Sequence, residues 1–258
     1  MKYKITKKLV KKVLETVDAG LVHGLGKQEP GKMCVEAAVC FALGLPHGDN
    51  PPCVGATVRS FKISLNDCSW PSDEDRTKGM RKLAIAQLGS NEIDQSKFLE
   101  VLGFKCITGI LPVILENAIT EDKDNEFCKK QNKELKPLIE KLRTAKDFEQ
   151  AKELAGRAWK IYASAYAYAS ASASASAYAS AYASAYASAY ASASSYAYAS
   201  VSAYASAYAY ASAYAYAYAY QEKNPIFNLK VLNMTAQAGL ETLIELKSPG
   251  CKWLDLCE

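Results

Sequence analysis

What this chain of 258 residues lacks is charge over a long central stretch: between residues 162 and 220 there is no Asp, Glu, Lys, Arg or His, and no Gly or Pro either. All 31 Lys plus Arg and all 27 Asp plus Glu therefore lie outside it, and nothing within it marks a turn. Histidine is scarce, with only His23 and His47 in the whole chain, which narrows the scope for imidazole chemistry. Neither G-x-x-x-x-G-K-[ST] nor G-x-G-x-x-G occurs; the nearest glycine cluster, Gly24-Leu25-Gly26, follows an expected helix rather than a strand. Outside residues 162–220 no run of 18 consecutive apolar residues occurs, and inside it hydroxyls fall at almost every second position, so no membrane partner is expected. The N-terminus has no apolar run or small-residue cleavage site, so the reading is a cytoplasmic protein without a signal peptide.

The eight cysteines form no C-x-x-C pair, which excludes the usual zinc ribbons and redox motifs and leaves reduced core thiols as the expectation. A net charge of +4, with lysines spread along the whole charged part, does not point to nucleic acid as a partner.

What is present reads as mainly α. Residues 3–18 place Ile5, Leu9, Val13 and Val17 four apart, with Lys4, Lys8, Lys11 and Lys12 on other faces; such a basic face is expected to be solvated. Residues 33–43 form a nearly all-apolar helix closed by Gly44. After the Pro- and Gly-rich loop 46–53, a helix carries Val58, Phe61 and Leu65. Ser72, with Asp75 three residues on, starts another that runs to Leu88 and Gly89. A short helix fits 95–102 before Gly103, residues 107–119 are apolar but ambiguous in type, and 125–162 is helical with a restart at Thr144-Ala145-Lys146-Asp147. The last helix spans 228–247, before Ser248-Pro249-Gly250.

In the charge-free tract every even position is Tyr or Ser and every odd one Ala, except Ser195 and Val201. Strict alternation is a strand signature that would put methyls on one face and hydroxyls on the other, as in a β-solenoid or cross-β stack. Helix is the favoured reading, because Ala is the best helix former and no breaker is present. A helix would also bring Tyr178, Tyr182, Tyr186 and Tyr190 into i,i+4 register, then Tyr204 with Tyr208 and Tyr214 with Tyr218. A charge-free rod of Ala and Tyr exposes apolar surface that must be covered, and self-association covers it most simply.

The sharpest catalytic candidate is Cys34 with His47. At the first turn of the 33–43 helix, the helix dipole and Lys32 could lower the thiol's pKa. The string Cys34-Val35-Glu36-Ala37-Ala38-Val39 loosely resembles the nucleophile helix of papain-like and bacteriocin-processing cysteine peptidases, but those take their His from well downstream. A metal site from Cys34, Cys40, His47 and Cys53 matches no zinc module's spacing, so neither metal nor cofactor is expected. Base stacking on the tract's tyrosines would need a basic groove beside them, which the tract lacks.

The runs Gly31-Lys32-Met33-Cys34-Val35-Glu36-Ala37-Ala38, Leu45-Pro46-His47-Gly48-Asp49-Asn50-Pro51-Pro52-Cys53-Val54, Arg81-Lys82-Leu83-Ala84-Ile85-Ala86-Gln87-Leu88-Gly89-Ser90 and Ser248-Pro249-Gly250-Cys251-Lys252-Trp253-Leu254 resemble a group of bacterial and phage proteins. Members of that group join a compact N-terminal region to an Ala-rich tract and a short C-terminal cap. The resemblance implies no assigned activity. It favours helix for the tract, because relatives space their repeats less strictly than two; the strict alternation here departs from that pattern.

The expected organisation is a helical globular domain over residues 1–161, a repeat tract over 162–220 and a helical cap over 221–258. The expected role is structural: a non-enzymatic protein that forms a homo-oligomer or filament through the tract. The alternative is a cysteine-dependent enzyme centred on Cys34 with an assembly tail.

Overall fold

The computed structural model describes residues 3–121, 126–170 and 224–258. Among these the fold is mainly α, with nine α-helices and no strand. The described residues fall into two compact units, one built from residues 3–98 with 224–258, the other from residue 99 to the end of the helix that enters the tract.

The first unit starts with α1 (Lys7–Asp18), where the Thr6 hydroxyl accepts the Leu9 N–H at 3.2 Å, so the helix begins later than the apolar spacing alone suggests. Val10, Val13, Leu14 and Val17 form its buried stripe. A loop tied down by two isolated bridges to Met33 leads to α2 (Val35–Leu43), which ends at Gly44 with φ 72°, the left-handed conformation that a residue without Cβ adopts freely. α3 (Ala56–Asn66) buries Val58, Phe61 and Leu65, the face its spacing indicates. α4 (Asp73–Ala86) opens on the expected cap: Ser72 Oγ accepts the Asp75 N–H at 3.0 Å and donates to the Asp75 carboxylate at 2.7 Å.

The C-terminal segment belongs to this same unit rather than standing apart. α9 (Pro225–Glu245) packs on α3 and α4, and a 3₁₀ stretch, Pro249–Cys257, packs on α4 and α1. Three polar ties fix it: Asn228 Nδ2 donates to the Ser69 carbonyl at 2.8 Å, Ser248 Oγ to the Ala86 carbonyl at 2.6 Å, and the Arg81 guanidinium to the Cys257 carbonyl at 2.6 Å. Arg81 also grips Asp18 on α1 with two bonds, of 2.6 and 2.9 Å. The tract is accordingly an insertion between two folded segments, and the sequence reading of a tail ending in a separate cap did not foresee that return.

α5 (Gln95–Lys105) starts in the first unit and continues in the second. It does not stop at Gly103. The chain passes through a π-helical turn, Cys106–Ile110, straight into α6 (Leu111–Glu121). The wider turn, in which the Leu111 N–H bonds the Cys106 carbonyl, comes just ahead of Pro112, whose missing N–H and bulky ring disturb a regular α ladder. The run Gln95–Asn117 is long and apolar enough to cross a membrane by length and composition alone, and half of its most apolar 18-residue window is buried within the protein. Phe98, Leu102, Cys106, Ile107, Ile110, Ile114 and Leu115 are the buried hydrophobic residues of the run.

α7 (Glu126–Arg143) and α8 (Phe148–Ser170) complete the second unit, whose core gathers Ile107 and Leu115 against Leu135, Leu138, Leu142 and Leu154. The break between them lies at the expected restart: Asp147 Oδ1 accepts the Gln150 N–H at 2.8 Å while Gln150 Oε1 accepts the Lys146 N–H at 2.7 Å. α8 carries the first nine residues of the tract, 162–170, as helix despite their two-residue alternation; the rest of the tract lies outside the described residues.

α9 approaches the core closely at Gly239, where an added Cβ would collide with the Phe61 ring and meet Leu83 at 3.4 Å. Phe61 is itself held edge-on against Phe98 at 6.0 Å. Gly239→Ala is expected to lower stability by about 1–3 kcal/mol, the range for overpacking a dense core, seen as a lower urea midpoint with an unchanged slope.

Candidate functional site

The candidate region is the N-terminal turn of α2 with the loop before it. Local bonds build that loop: the Val22 N–H donates to the Met33 carbonyl at 3.0 Å, the Gly24 N–H to Asp67 Oδ1 at 2.8 Å, and Asn66 Nδ2 to the Val22 carbonyl at 2.9 Å. Asn66, fully buried, also accepts the Val35 N–H through Oδ1 at 3.3 Å, so one side chain at the end of α3 holds both the loop and the start of α2.

Cys34 is the cap of α2 rather than a member of its first turn. Its Sγ accepts the Ala37 N–H at 3.4 Å, and its own N–H donates to the Leu25 carbonyl at 3.3 Å. The thiol is 5 % exposed among Met33, Ala37 and Phe41. Burial pushes it up to about 11, with the Glu36 charge adding to the rise and the Ala37 N–H opposing it. Lys32, expected to lower that value, instead pairs with Glu29 at 3.0 Å on the surface. His47 Nε2 lies 3.1 Å from the Gly26 carbonyl, so Cys34 and His47 brace neighbouring carbonyls of one loop, and no hydrogen bond joins their side chains.

Cys40 and Cys53 are also buried and pushed up to about 11 by that burial. Among the described residues no group of three or more His, Cys, Asp or Glu side chains is placed to hold a metal ion, so Cys34, Cys40, His47 and Cys53 are not gathered as one. The tyrosines expected to mediate self-association, Tyr178, Tyr182, Tyr186, Tyr190, Tyr204, Tyr208, Tyr214 and Tyr218, lie outside the described residues.

The structure adds a feature that the spacing arguments missed. Glu36 on α2 and Lys62 on α3 are both wholly buried, with Lys62 Nζ 3.5 Å from Glu36 Oε1. Gln87, at the end of α4, is also fully buried. Neither Glu36 oxygen, nor Lys62 Nζ, nor either amide atom of Gln87 makes a well-formed hydrogen bond within the protein. Burial pushes the Glu36 carboxyl up, against the pull of the Lys62 ammonium, and pushes Lys62 down, against the pull of Glu36. A lone Glu in an otherwise apolar helix was the one signal in the sequence that could have pointed here.

This arrangement places a carboxyl and an amine together in the core, and burial favours the protonated thiol at Cys34, Cys40 and Cys53. No family model, curated protein or solved structure matches the chain.

Two outcomes follow. Burial pushes both Cys34 and Cys251 up to about 11, so at pH 8 each is ionised in about one molecule per thousand and only access separates them: iodoacetamide should label native, buried Cys34 more slowly than the part-exposed Cys251, the two rates converging in denaturant; peptide mass mapping over time reads this. Lys62→Met alone should destabilise by about 3–5 kcal/mol by stranding a buried carboxylate, whereas adding Glu36→Met should restore most of the loss, as a double-mutant cycle in urea would show.

Proposed function

We propose that this is a non-enzymatic structural protein that self-associates into a homo-oligomer or filament through the Ala/Tyr/Ser tract, with cytoplasm as its place of action. The observation that carries the proposal is the uncharged composition of residues 162–220, where Tyr and Ser alternate with Ala and nothing repels a second copy. α8 supports it by entering the tract as a helix, since a helix continued at that pitch sets Tyr178, Tyr182, Tyr186 and Tyr190 along one face. Because the chain folds on both sides of the tract, the assembling element is held at both ends. The competing reading, an enzyme centred on Cys34, is weakened by a buried thiol that caps a helix and is pushed up to about 11.

Sedimentation velocity of the full chain over a wide concentration range tests the proposal. Species larger than the monomer should grow with concentration. Joint replacement of Tyr178, Tyr182, Tyr186 and Tyr190 by Lys should shift that growth to at least about tenfold higher concentration, since like charges then face each other between copies. A chain that stays monomeric at every concentration would sink the idea.

A further inference from the structure

α1 presents an unpaired cationic face. Lys4, Lys7, Lys8, Lys11 and Lys12 are all exposed, five lysines within nine residues. Lys7 and Lys11, and likewise Lys8 and Lys12, stand one turn apart, where like charges weaken a helix. The first turn contains no acidic residue, so Lys7 and Lys8 also oppose the positive end of the helix dipole. Among the described residues none of the five makes an ion pair; Lys12 alone has a partner, its ammonium lying 5.9 Å from the centre of the Phe41 ring. The nearest acids on the helix are Glu15, a turn further on, and Asp18, which is taken up by Arg81. Val10, Val13, Leu14 and Val17 lock the opposite side of α1 into the core, so the lysines stand on a rigid support.

We propose that this face docks on the phosphate backbone of a nucleic acid. Among the described residues no ion pair engages these lysines, so a polyanion that binds here displaces no internal partner. The arc fully exposes no large apolar side chain that could enter a lipid surface: Ile5 is buried, and Leu9 and Phe41, both beside Lys12, are half-buried. A polybasic patch without such an anchor holds a membrane only loosely, whereas phosphate contacts by charge alone account for non-specific nucleic-acid binding. The patch is all Lys, point charges without the planar fork that reads base edges, so binding is independent of sequence. On sequence alone this face reads as solvated and nucleic acid is not expected; the absence of an ion pair to any of its five lysines, among the described residues, is what the structure adds.

Fluorescence anisotropy of the full chain with a short labelled DNA duplex of mixed sequence is the test, with phosphatidylserine vesicles in a parallel flotation assay. Four helix lysines on four phosphates give a log–log salt slope of about −3.6, so affinity should fall about 150-fold between roughly 50 and 200 mM salt. The combined variant Lys7→Gln, Lys8→Gln, Lys11→Gln, Lys12→Gln should lose binding and flatten the slope. A variant with the same change in net charge on α7, Lys129→Gln, Lys130→Gln, Lys133→Gln, Lys136→Gln, should keep both. The proposal is overturned by no duplex binding at low salt, by equal loss in the two variants, or by vesicle binding that depends on the α1 lysines while the duplex is ignored.

Discussion

The first unit depends on a pair of charges that water does not reach. Glu36 and Lys62 are each wholly buried on separate helices, and taking two ions out of water costs several kcal/mol apiece unless each keeps the other close. That requirement is directional in a way hydrophobic burial is not: α2 can shift against α3 only by pulling the ions apart. Asn66, one turn beyond Lys62, adds a second constraint by holding the start of α2 and the preceding loop. Val35, Val39, Val58 and Leu65 on the same two helices are fully buried as well, so the polar contacts sit within a packed apolar layer.

The same economy explains the cysteines. Cys34, Cys40 and Cys53 line up with this region as small buried groups, and the carboxylate of Glu36 makes thiolate formation near it less favourable still. Apolar surroundings and a neighbouring carboxyl both favour the protonated thiol, and the Cys34 sulfur accepts the Ala37 N–H as a helix cap. Burial and the Glu36 carboxyl thus both work against the thiolate that a Cys at the start of a helix would otherwise favour.

The path of the chain shapes what the tract can do. Residues that follow it rejoin the first unit, not the second unit that leads into it, held by Arg81, Ser69 and Ala86 through bonds to Cys257, Asn228 and Ser248. A segment inserted in this way can be long without a large penalty, because closure entropy grows only slowly with length. On the readings proposed above, the tract and the lysine face of α1 would be separate means of engaging partners, one free of charge and the other consisting of little else.

Helices with strong local signals were legible from the residues alone. Ser72 with Asp75, Gly44, and the spacing of Val58, Phe61 and Leu65 each specify a feature through contacts within a turn or two. The π turn before Pro112 was not legible, since Gly103 looked like a stop and only packing of Ile107 and Ile110 into a core carries the helix across it. Sequence by itself determined the helical class, the main caps and the uncharged tract, because these rest on neighbours along the chain. Tertiary structure alone decided that Glu36 meets Lys62, that Cys34 is sealed and raised in pKa, and that the C-terminal segment rejoins the first unit. Those outcomes turn on burial and on partners from 26 to more than 150 residues apart, which no local spacing encodes.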